Sequence, residues 1–139
     1  MKRLAVVAAL TLGAVAAFAQ MPRTPSTQGA ELYFIAPADN ATVTGPVTVR
    51  FGLKGMGVAP AGIQLADTGH HHLLVDTDLP PLDKPIPADA NHVHFGKGQT
   101  ETTLTLAPGK HTLQLILGDH LHIPHQPAVV SQKITITVK

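Results

Sequence analysis

Cysteine is absent from the 139 residues, which excludes disulfides, thiolate metal sites, zinc ribbons and a cysteine nucleophile. Aromatic residues are scarce, with no tryptophan, one tyrosine and four phenylalanines, so a surface built on aromatic anchors for protein recognition has little to draw on. An excess of charge is missing too. Ten basic residues stand against nine acidic ones, a balance that argues against nucleic acid or an anionic membrane surface as a partner. Neither Ser26 nor Ser131 sits in a nucleophile-elbow sequence, which leaves a serine hydrolase without its nucleophile. Past the first twenty residues no segment has the 3.6-residue apolar period of a helix.

The opening stretch is the one long apolar run. Lys2 and Arg3 form a basic start, residues 4–17 an apolar core, and Ala17-Phe18-Ala19 a small-x-small cleavage site, so residues 1–19 read as a secretory signal peptide. The run is short for a spanning helix and polar residues follow at once, so no membrane insertion is expected after cleavage. Export implies a periplasmic or secreted protein, and losing Lys2 and Arg3 tips the formal charge of +1 to a slight acidic excess. Residues 20–30, with two prolines, two threonines and Ser26, read as a flexible lead. Residues 31–139 are then one domain, long enough for a real core.

That domain is patterned as strands. ELYFIA (31–36) is a short apolar run stopped by Pro37. PVTVRFGL (46–53) alternates, with Val47, Val49, Phe51 and Leu53 on one face. In HHHLLV (70–75), His71, Leu73 and Val75 share one face while His70, His72 and Leu74 share the other. TETTLTLA (100–107), KHTLQLILG (110–118) and the final KITITV (133–138) repeat the pattern, His111 heading the row of Leu113, Leu115 and Leu117. The glycine- and proline-rich residues 54–62 read as a surface loop in which Met56 packs rather than binds. Prolines at 80, 81, 85 and 87 keep residues 77–90 out of any central strand and make them an extended connection or lid. Short strands and frequent turns give an all-β expectation: a single antiparallel β-sandwich of immunoglobulin-like type.

All nine histidines fall between positions 70 and 125, at 70, 71, 72, 92, 94, 111, 120, 122 and 125. Three pairs are spaced His-x-His. On an extended strand residues i and i+2 point the same way, so such a pair can converge on one cation. The candidate ligands are therefore His70, His72, His92, His94, His120 and His122, three or four of which would fill a tetrahedral or square-planar site. Asp76 and Asp119 are placed to hold the remaining imidazole protons. The other histidines read as ordinary: His111 as a satisfied residue at the core edge, His125 as loop surface, and one of the 70–72 triplet as an exposed strand residue.

GHHHLLVD, HFGKGQTE, PGKHTLQL and GDHLHIPH, in that order, together with the GMGVAPAG loop, resemble the exported bacterial family called domain of unknown function 4399. The resemblance runs from about residue 32 to 138 and implies a small secreted β domain without a transferable activity. The residues themselves favour a periplasmic or secreted protein binding a divalent transition metal, copper(II) or zinc(II), with the metal ion and an envelope protein as expected partners; an enzyme is the less favoured reading. One alternative is a metal-free envelope- or protein-binding module whose histidines form a hydrogen-bonded or pH-sensitive surface. The other is a cupin-like metalloenzyme, in which Glu101 would join His92 and His94, with Pro108-Gly109-Lys110-His111 following; its spacing matches only loosely.

Overall fold

The computed structural model describes residues Pro22–Lys139, and the expected signal peptide at 1–19 lies outside them. Nine strands follow one another, with no helix among the described residues: β1 (Glu31–Ala36), β2 (Thr42–Val43), β3 (Val47–Lys54), β4 (Gly57–Val58), β5 (Thr68–Val75), β6 (His92–His94), β7 (Glu101–Leu104), β8 (Gly109–Gly118) and β9 (Ile134–Val138). They form the two sheets of an immunoglobulin-like β-sandwich. One is antiparallel, in the order β1-β3-β7; the other runs β2-β9-β8-β5-β4, with β6 also paired to β5. The larger sheet departs from the antiparallel expectation at two short parallel pairs, β2 with β9 and β4 with β5.

Alternation decides what is buried. Leu73, Val75, Leu113, Leu115, Leu117, Ile134, Ile136 and Val138 of the larger sheet meet Leu32, Val47, Val49 and Phe51 of the smaller one, and Met56 packs against this core as expected of it. The larger sheet also buries its other face. There Leu74 and Ile116 are covered by Ile86 and Leu82 from the proline-rich residues 77–90, with Val130 beside them. Prolines cannot donate to a sheet ladder, so this segment lies on the sheet instead of joining it.

Two expectations need correction. The strand foreseen across 100–107 is only four residues long. Residues 22–30 are no free lead: they lie along residues 119–127. The amide of Ser26 donates to the Gln126 carbonyl (3.2 Å) and that of Gln126 to the Thr24 carbonyl (2.9 Å), while Arg23 bonds the carbonyls of Pro124 and His125. Polar composition suggested mobility, but these groups find partners in a segment far away in sequence.

Candidate metal centre

The outer face of β5 carries His70 and His72, two residues apart and therefore side by side. Register supplies the rest. His72 faces Ile116 of β8 on one side and His94 of β6 on the other, and His70 faces Gly118. Past Gly118 the chain enters a tight turn in which both carboxylate oxygens of Asp119 are used. Oδ1 accepts from the amides of Leu121 and Ile123 (2.9 Å each), and Oδ2 from the Thr24 hydroxyl (2.6 Å). This turn holds His122 in a left-handed conformation, φ 67°. Among the described residues the other three non-glycine residues with positive φ are Asn or Asp, which tolerate it better than most.

Four imidazoles meet as a result. The six pairs among His70, His72, His94 and His122 have ring centroids between 4.8 and 6.0 Å apart. Ligand atoms of His70, His94 and His122 lie within 4.8 Å of one another, an arrangement that could hold a metal ion, and Nε2 of His72 is 2.9 Å from Nε2 of His70. In a planar four-nitrogen site with metal–nitrogen bonds of about 2.0 Å, neighbouring donors sit about 2.8 Å apart, and in a tetrahedral one about 3.3 Å. The His70–His72 separation, a hydrogen bond between the two rings, matches adjacent ligands of a planar site; the donors of His70, His94 and His122, up to 4.8 Å apart, would close inward on an ion.

Space and protonation favour the same chemistry. A methyl group added at Gly118 would come within 3.0 Å of His72 Nε2, and one at Gly96 would overlap the His94 ring, so these two glycines make room for the cluster. His70 and His72 are buried, at 1% and 0% exposure. Burial, helped by the neighbouring imidazoles His122 and His94, lowers the His70 pKa to about 4; burial and the charges of His70, His94 and His122 lower that of His72 to about 2. His94 is lowered in the same way, first by burial and then by His122. Neutral imidazole is the form that binds metal. Nδ1 of His70, Nδ1 of His72 and Nε2 of His94 are buried with no hydrogen-bond partner among the described residues, a condition that costs about 1–3 kcal/mol for a neutral polar group.

Two of the six candidate ligands lie outside this cluster. His92 sits two pairs further along, opposite Leu74, and its Nδ1 is held 2.8 Å from Asp89 Oδ1. His120 belongs to a turn, where the i, i+2 rule of strands does not apply, and lines a separate cavity of about 230 Å³ with Thr24, Ile63 and Leu65. The carboxylates also differ from expectation: Asp119 organises the turn, and Asp76 binds His111. Both His111 nitrogens donate, Nδ1 to Asp76 Oδ2 (2.6 Å) and Nε2 to the Ala107 carbonyl (2.7 Å), which only an imidazolium can do; the Asp76 bond, then the Ala107 bond, raises its pKa. Glu101 is in the smaller sheet, paired with Arg50 at 3.3 Å, so the cupin-like arrangement is not formed.

The ordinary histidines divide as well. His111 is satisfied, as expected. His125 is fully buried, its Nε2 donating to the Thr68 carbonyl at 3.1 Å, because residues 22–30 cover the loop that was read as surface. No member of the triplet is exposed. His71 is 0% exposed, its ring 5.1 Å from that of Phe51 between the sheets, and neither nitrogen has a partner among the described residues. Burial lowers its pKa to about 4. His71→Leu, similar in volume and free of polar atoms, is therefore expected to raise stability by about 1–3 kcal/mol in denaturant titrations. A loss of stability would show that the imidazole has a role these contacts do not reveal.

The family described as Domain of unknown function (DUF4399) matches residues 49–139, a stretch holding all nine histidines. The chain belongs to this family. Among curated proteins none matches the sequence. A solved structure, described as "Structures of Clostridium thermocellum CbhA fibronectin(III)-like modules", is similar over 77% of this chain and 92% of its own, at 12% identity and a TM-score of 0.40. No helix among the described residues is long and apolar enough to cross a membrane.

Proposed function

We propose that this DUF4399 protein is an exported, periplasmic or secreted metal-binding β-sandwich that takes one divalent ion, copper(II) or zinc(II), between His70, His72, His94 and His122. The convergence of four imidazoles carries the reading. An all-nitrogen set without thiolate suits these borderline cations. His122, kept in a left-handed conformation that a non-glycine residue adopts at a cost, adds support, since such strain gathers at working sites. The role favoured is binding and carriage of the ion, with an envelope protein as the partner that delivers or receives it.

The test is a titration of the metal-free chain lacking residues 1–19 with copper(II) and with zinc(II), in competition with a chelator of known affinity. Saturation at one ion per chain supports the proposal. Failure to retain either ion against a weak chelator contradicts it.

A further inference from the structure

His94 and His122 arrive at the cluster from opposite sides of β5. His94 ends β6, which lies along one edge of β5; His122 belongs to the turn after β8, which lies along the other. Neither strand contacts the other's loop through a ladder, yet their rings are 4.8 Å apart. Besides β5 itself, two segments tie these loops together. One is residues 77–90, whose Ile86 amide donates to the His122 carbonyl at 2.8 Å before the chain enters β6.

The other is the segment between β4 and β5. It leaves β4 with the Ala59 amide bonded to the Gly69 carbonyl (2.9 Å), turns at Pro60, and then presents two successive amides outward. The Ala61 amide donates to the carbonyl of Gly96, the glycine beside the His94 ring, at 2.9 Å. The Gly62 amide donates to the carbonyl of His120, in the turn that carries His122, at 3.0 Å. We propose that the Ala61–Gly62 turn is a positioning element of the site, a clasp that holds the His94 and His122 loops together. As a positioning role this deepens the metal-binding reading; the ring geometry it sets exists in the metal-free protein as well.

Gly62 makes the clasp separable from the fold. It has φ +84°, is exposed, and no heavy atom of the described residues lies within 4 Å of where a Cβ would be. A side chain there meets no obstacle, so a substitution acts through the backbone angle alone. Valine, being β-branched, strongly disfavours that angle, while asparagine accepts it and keeps the amide in place.

The experiment compares the wild type, Gly62→Val and Gly62→Asn by two readouts: the nuclear Overhauser contact between the His94 and His122 rings in metal-free protein, and zinc affinity. Gly62→Val is expected to lose the contact and to bind zinc about tenfold more weakly, as removal of a supporting contact around a metal site does. Gly62→Asn restores both. A Gly62→Val protein that keeps the contact, or a Gly62→Asn protein as impaired as Gly62→Val, overturns the clasp. If Gly62→Val does not fold, Gly62→Ala, strained by the same angle, takes its place. Should the wild type take no zinc, the metal reading falls and the ring contact alone decides the clasp.

Discussion

Lowering the pH from 6.5 toward 4 is expected to unfold the metal-free protein cooperatively. His70 and His71 stay neutral in the folded state down to about pH 4, and His72 to about pH 2, because burial resists their charging. In the unfolded chain the same imidazoles take up protons near pH 6.5. Between these limits the unfolded state binds more protons, so the stability present above pH 6.5 is lost as the pH falls. Three protons at about 1.4 kcal/mol per pH unit each give a slope approaching 4 kcal/mol per unit, set against a total stability of about 5–15 kcal/mol for a domain of this kind. His111 acts with the opposite sign. Its raised pKa means that its contribution is complete below pH 6.5 and is lost as the pH rises through the folded value, so it offsets at most one of the three protons. Urea titrations at intervals from pH 7 to 4, with proton uptake on unfolding read by calorimetry in two buffers, check this. A stability that is flat between pH 6.5 and 4.5 would show that the buried histidines are already protonated in the fold.

Substitution should divide the six His-x-His residues four to two, across their sequence pairs. His94→Gln and His122→Gln each remove a ligand, and their effect should exceed the 10- to 100-fold seen for lost outer contacts, reaching on the order of 100-fold or more in affinity. His92→Gln and His120→Gln, one bonded to Asp89 and the other lining a separate cavity, should leave affinity unchanged. The contrast lies within pairs: His92 against His94, and His120 against His122. A reading based on spacing alone treats the members of each pair alike, and equal losses at all four positions would support it over the cluster described above.

Much of the fold was legible because burial writes itself into alternation. Val47, Val49 and Phe51, and Leu113, Leu115 and Leu117, point inward as their period-two pattern requires, and His70 with His72 share the outer face for the same reason. The site was legible only in part. His94 joins through the pairing of a three-residue strand with β5, and His122 through a left-handed turn fixed by Asp119; both depend on contacts between distant segments. The burial of the whole triplet could not be foreseen without the cover of residues 77–90 and of the loops. Residues 22–30 had polar composition but gained fixed partners, Thr24 on Asp119 and Ser26 on Gln126. A usable signal did exist: Gly96 and Gly118 each lie within four residues of a clustered histidine, where only a residue without a side chain leaves the rings their space.

Diffraction from crystals of the chain lacking residues 1–19, grown with zinc and recorded on both sides of the zinc absorption edge, decides whether the four rings hold a metal. One strong anomalous peak per chain is expected among the rings of His70, His72, His94 and His122, about 2.0–2.1 Å from a nitrogen of each ligand. An empty cluster in crystals whose zinc sits only at His92, His120 or lattice contacts would contradict it.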